Sequence, residues 1–186
     1  GDLDAALDWL RAKGISNAAK KSGRIASEGL VEAYIHANGK IGVLLEVNCE
    51  TDFVALNEGF KGFVRDLCMH IAAAAPEYVS RDDVPEDAVE KERAVQLART
   101  IEEGKPEHIA AKIVEGRMNK WFSDVCLLEQ KYVKDDEKSI EQVVQDTVAT
   151  IGENIKVRRF SRFVLGEGLE KRSDDFAAEV AAQAGV

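Results

Sequence analysis

One stretch of this chain sets binding and reactive side chains close together: Cys49-Glu50-Thr51-Asp52-Phe53-Val54. It lies between an apolar run and a helical one, where polar turn residues are the usual occupants. Instead, an aromatic ring stands directly behind a carboxylate. Two arrangements suit it. In one, Phe53 folds back onto the core and Asp52 caps a turn. In the other, Phe53 is displayed as an anchor, and burying such a ring in a partner contributes about 1.5–3 kcal/mol. Local chemistry alone tilts toward the first. Cys49 is a candidate nucleophile only if a base and an orienting group come within reach.

The remaining reactive residues are scattered. The chain has three cysteines and three histidines, with no C-x-x-C and no spacing that suits zinc, so no metal is assigned. Cys68 falls on an apolar helical stripe and Cys126 sits beside Leu127-Leu128, which reads as core thiols. His70 and His108 read as helix-surface or partly buried residues. Gly104-Lys105-Pro106 lacks the upstream glycine and the Ser/Thr of a phosphate-binding loop, and Gly166-Glu167-Gly168 lacks a dinucleotide context. Both read as turns, and no cofactor is expected.

The run Lys156-Val157-Arg158-Arg159-Phe160-Ser161-Arg162-Phe163 interleaves bases and aromatics. It suits an RNA-stacking strand that uses Lys156, Arg158, Phe160 and Arg162. It equally suits a half-buried strand with Ile155, Val157 and Phe163 inward and the bases toward water or acids. The alternation is imperfect, because Phe160 falls on the basic face. A net charge of −9 favours the second arrangement, since phosphate binding draws its affinity from a basic surface.

These residues must be positioned by elements that the periodicity outlines. Leu3 to Lys13 has helical spacing with Gly14 as a stop, and Ser16 to Ser22 reads as a second short helix. Leu30–Ala37 and Ile41–Cys49 read as strands, with Asn38-Gly39 as a type I′ hairpin signal between them. Asn57 looks like an N-cap for a helix whose face carries Phe60, Phe63, Val64, Leu67, Cys68, Ile71 and Ala75, and which Pro76 ends. Pro85 opens a helix to about Glu103, and Pro106 opens another to Met118. Their narrow apolar stripes suit an antiparallel pair projecting from the core. Trp121 to Val133 is mixed, and Asp135-Asp136-Glu137-Lys138 is a polar turn. Ser139 and Gln142 form a capping box for a helix to Gly152. Ile155 to Leu165 alternates as a strand, and Ser173 caps a last helix, Asp174 to Ala182.

This order predicts an α+β fold: a small antiparallel three-stranded sheet with helices packed on one side and a projecting helical hairpin at about 85–120. With 186 residues, 45% hydrophobic and 32% charged, the chain has the mix of a soluble globular domain. No apolar run approaches the roughly 18–20 residues that span a bilayer, and no signal segment opens the chain. A soluble intracellular protein is expected, with no membrane partner.

The stretch Ile41 to Ala55, ending in Asn48-Cys49-Glu50-Thr51-Asp52-Phe53-Val54-Ala55, closely resembles the signature of the translation elongation factor Ts family. Glu107-His108-Ile109-Ala110 to Arg117, Ile151-Gly152-Glu153-Asn154-Ile155, Gly166 to Lys171 and Asp175 to Val180 resemble it too. The resemblance covers essentially the whole chain and is closest to the short form with one core subdomain. It implies a non-enzymatic exchange factor that binds the GTPase elongation factor Tu and speeds GDP release, in the bacterial cytoplasm or the plastid stroma. It implies a homodimer and no direct nucleic-acid ligand. It implies that Thr51, Asp52, Phe53 and Val54 insert near the partner's magnesium, which reverses the local weighting on Phe53. Residues 1–22 would then be a remnant of an N-terminal helical, ubiquitin-associated-like module. Residues 23–172 would be the dimerisation and GTPase-binding core, and 173–186 a C-terminal helix.

Overall fold

The computed structural model describes residues 2–36 and 38–170, so the expected last helix at 174–182 lies outside the described residues. The chain opens with helix α1, Leu3–Lys21. It is one helix rather than two, because Gly14 does not stop it. Gly14 lies against a later helix, where a methyl group would sit in ordinary contact 3.6 Å from the Ala149 Cβ. That packing outweighs a helix cost of about 1 kcal/mol for glycine.

Strands β1, Glu28–His36, and β2, Ile41–Cys49, form the expected hairpin. Asn38 and Gly39 have φ of 59° and 73°, the left-handed pair that a type I′ turn demands. A one-turn helix α2, Asp52–Ala55, follows, then α3, Glu58–Ala74, capped by Asn57 as expected. On α3, Phe60, Val64, Leu67, Cys68 and Ile71 are fully buried, while Ala75 has left the helix and is exposed.

Helices α4, Glu86–Glu102, and α5, Glu107–Val125, form the helical hairpin. The second runs about two turns beyond Met118 and takes in Trp121 and Phe122, whose rings pack 5.0 Å apart. These rings and Val84, Val125 and Cys126 make a small separate core at the hairpin's base. Along the hairpin Ala110, Val114 and Met118 of α5 are buried, and polar contacts flank them. Arg117 donates to the Thr100 hydroxyl at 3.1 Å and to Glu103 at 2.6 Å, and Arg93 pairs with Glu115.

The acidic run expected as a turn is instead strand β4, Asp135–Ser139, which pairs with the short β3, Lys131–Tyr132. The Ser139–Gln142 capping box opens α6, Ile140–Ile151, and β5, Lys156–Val164, completes the main sheet. That sheet is antiparallel throughout, in the order β1-β2-β5. Val43, Leu45, Val47 and Cys49 of β2 face α3 and form the centre of the core.

The imperfect alternation of β5 has a structural cause. Glu46 pairs with Arg159 but Val47 pairs with Val157, so Arg158 is an inserted bulge residue. A one-residue insertion exchanges the two faces of the strand. Ile155 and Val157 point inward before the bulge, and Phe160 and Arg162 point inward after it. Phe163, expected inside, is therefore on the open face and 68% exposed.

Candidate functional site

Thr51, Asp52, Phe53 and Val54 form the first turn after β2. Thr51 is the N-cap, with φ −129° and ψ 154°, and its hydroxyl accepts from the Val54 N–H at 3.4 Å. The cap is thus the threonine and not Asp52. The Thr51 carbonyl accepts from the Cys49 thiol at 3.2 Å and from the Ala55 N–H at 3.3 Å. Val54 and Ala55 are half-buried and pack on the core. Phe53, one position earlier and so about 100° round the turn, points away from the core and is 82% exposed. Asp52 beside it is exposed as well. The displayed arrangement is the one the structure has.

Leu56, three residues after Phe53 and so on the same side of the turn, is also exposed. Sequence reasoning passed over it, although its spacing from Phe53 is the available signal. Beside Phe53 runs an open groove of about 770 Å³. Val54, Phe63, Tyr132, Val143 and Ile151 supply apolar walls, and the Lys138–Asp146 pair, 2.7 Å apart, crosses its polar end.

Cys49 offers no nucleophile. Its side chain is fully buried, and burial, with help from the Glu153 carboxylate, pushes the thiol above its ordinary range. The thiol also serves as a donor to Thr51. Cys126 is pushed up to about 11 and Cys68 to about 12, both chiefly by burial, so all three read as inert core thiols.

His70 is fully buried rather than at the surface. The Val133 N–H donates to its Nδ1 at 3.3 Å, which leaves Nε2–H to donate to the Gln130 side-chain oxygen at 2.9 Å. Gln130 in turn donates to the Asp124 and Ala74 carbonyls at 2.7 and 3.4 Å. One neutral histidine thus ties together the ends of α3 and α5 and the turn after β3. Burial holds its pKa below the ordinary value.

The basic strand does not form a stacking platform. Arg158 and Arg159 both pair with Glu46, at 3.5 and 2.7 Å. Arg159, the largest cause, holds that carboxyl below its usual range. Arg162 turns inward and donates to the Ala72 carbonyl near the end of α3 at 3.2 Å. Phe160 packs on the core while Phe163 faces the other way. The bulge thus splits the bases and aromatics between two faces. No helix among the described residues is long and apolar enough to cross a membrane.

Comparison with known proteins gives a single answer. The family described as Elongation factor TS matches residues 17–167. Elongation factor Ts of Geobacter metallireducens is 60% identical over 186 residues, covering all of this chain and 86% of that protein. The protein of the same name from Geobacter sulfurreducens is 58% identical over the same span, and that of Desulforamulus reducens is 57% identical over 183 residues, or 84% of its length. A match of this extent, carried through the sheet, the helical hairpin and the exposed tip, means that the chain belongs to the elongation factor Ts family, and is a translation elongation factor rather than an enzyme.

Proposed function

We propose that this chain accelerates GDP release from elongation factor Tu by seating Thr51-Asp52-Phe53-Val54 against the partner's magnesium and switch region. The observation that carries the reading is a phenyl ring 82% exposed on a turn whose other side is anchored in the core. A ring held out in this way acts as a wedge. Magnesium demands near-ideal octahedral geometry, so a small displacement of its surroundings weakens its hold on the phosphates. The Asp52 carboxylate, exposed next to the ring, brings negative charge toward the same metal-phosphate site. Coupling between the two ligands is reciprocal: to the extent that the tip weakens GDP binding, GDP weakens binding of the tip. The complex is then transient, as an exchange factor requires.

The open face of the sheet supports a homodimer. Val31, Ile35, Leu44 and Phe163 are 49–68% exposed there and form an apolar patch rimmed by Glu46 and its two arginines. A patch with both charges at its rim can be complementary to itself across a two-fold axis, so a second copy of this chain is the occupant that suits it. In this reading residues 1–22 belong to an N-terminal helical module, 23–172 form the dimerisation and GTPase-binding core, and 173–186 add docking surface. The working compartment is the bacterial cytoplasm or the plastid stroma. The test is direct: elongation factor Tu loaded with a fluorescent GDP is mixed with excess unlabelled GDP, with and without this chain. The reading expects a faster release in its presence, and an unchanged off-rate would overturn it.

A further inference from the structure

The turn that carries Phe53 is too short to hold its own orientation. A four-residue helix has only one turn of backbone bonds to stiffen it. Its rigidity has to come from outside: Val54 and Ala55 pack on the core, and the polar hold on Thr51 comes from one side chain a hundred residues away in sequence.

Glu153 follows Gly152, whose φ of 91° ends α6 and turns the chain sharply toward β5. Its carboxylate then meets the entry to the tip. One oxygen accepts from the Glu50 and Thr51 N–H groups at 3.1 and 3.0 Å, and the other accepts from the Thr51 hydroxyl at 2.7 Å. The exchange is mutual. Glu50 returns its own carboxylate to the Asn154 N–H at 2.6 Å. Asn154, 7% exposed, donates its amide to the Arg24 carbonyl at 2.7 Å, just beyond the end of α1. The loop that leaves β2 and the loop that leads into β5 are thereby buckled together, with Thr51 at the centre.

We infer that Glu153 is a positioning residue for nucleotide exchange: it touches neither metal nor nucleotide, and acts by fixing Thr51 so that the cap aims Phe53 and Asp52. This inference rests on the exchange reading above. Charge-assisted bonds to backbone N–H groups are the strong kind, and the segment has no other acceptor for the Glu50 and Thr51 amides among the described residues. Removing the carboxylate frees the cap. A tip misplaced by about 1 Å loses rate steeply, by as much as roughly 100-fold in well-aligned sites.

The experiment uses the full chain and GDP-loaded elongation factor Tu, and compares wild type, Phe53→Ala, Glu153→Ala, Glu153→Gln and the Phe53→Ala/Glu153→Ala double variant. Glu153→Ala is expected to lower the stimulated GDP release about tenfold or more, with circular dichroism unchanged. Glu153→Gln keeps an oxygen for the two backbone amides and a group for the hydroxyl, and is expected to stay within about threefold of wild type. In the Phe53→Ala background Glu153→Ala is expected to change nothing further, because a residue that acts only through the tip has nothing left to aim. Additive losses, or wild-type release by Glu153→Ala, would overturn the inference while leaving the exchange reading intact. A wild-type chain that does not stimulate release would overturn both. Amide hydrogen exchange on the free chain separates the two further. Glu50 and Thr51 should lose protection in Glu153→Ala while the β2 amides keep theirs. If Glu153→Ala does not fold, Thr51→Val removes the hydroxyl tie to Glu153 together with the cap on the Val54 N–H and leaves the Glu153 bonds to the two backbone amides, and a release rate equal to wild type for that variant contradicts the inference.

Discussion

Thr51 and Phe53 divide the work of the tip between them. Every polar group of Thr51 is engaged, whereas Phe53 makes almost no use of its own protein. The pairing of a fully satisfied cap with an exposed ring was half legible in the sequence. The unusual juxtaposition of acid and aromatic was visible, but its direction was not, because a single turn can place either Phe53 or Val54 inward. The choice is made by Thr51, whose long-range partner Glu153 no local pattern reveals. His70 was misjudged for a similar reason: its partners Gln130 and Val133 lie in a segment of mixed character. Its burial has a pH consequence. A histidine whose pKa is depressed in the folded state is neutral there, and the unfolded chain binds the extra proton as pH falls below the ordinary value of about 6.5. Its contribution is therefore present above that pH and is lost on acidification toward the depressed folded value. Urea titrations of wild type and His70→Gln at pH 7.5 and 5.5 should show a smaller acid loss in the variant. The difference is at most about 1.4 kcal/mol per pH unit. Parallel losses would contradict the assignment.

At the scale of elements, the periodicity located both hairpin strands, the caps at Asn57 and Ser139, and the helices opened by Pro85 and Pro106. Each of these has a local cause, and local causes can be read from a sequence. What was missed had a tertiary cause. Gly14 continues a helix because Ala149 lies against it. The acidic run 135–139 is a strand because Lys131 and Tyr132 offer a partner. Arg158 bulges because β2 holds Val157 and Phe160 inward on either side of it. The bulge carries a prediction. Deleting Arg158 forces either Ile155 and Val157 or Phe160 and Arg162 to the open face. Turning two buried aliphatic side chains outward costs about 3–6 kcal/mol at 1.5–3 kcal/mol each. Chemical denaturation of the deletion variant should show a loss of at least about 2 kcal/mol, and a wild-type midpoint would mean that the register is not fixed in this way.

At the scale of the molecule, the sheet has one face against α3 and one face open, and the tip lies at the end of β2. The tip and the proposed dimer face are therefore separate surfaces and can be perturbed independently. Leu44→Arg on the open face should leave the fold and the free-chain spectrum unchanged and shift sedimentation equilibrium from dimer toward monomer by tenfold or more in Kd, since a charge desolvated at an apolar contact costs well over 1.4 kcal/mol. An unchanged dimer would remove the open face from the interface. The central claim concerns the tip and is tested most directly by stopped-flow release of fluorescent GDP from elongation factor Tu with Phe53→Ala. Phe53 is exposed, so the variant should unfold within about 0.5 kcal/mol of wild type. Its stimulation of release should fall by roughly 10- to 150-fold, the equivalent of losing about 1.5–3 kcal/mol of ring burial. Stimulation equal to wild type by a folded Phe53→Ala chain would contradict the account.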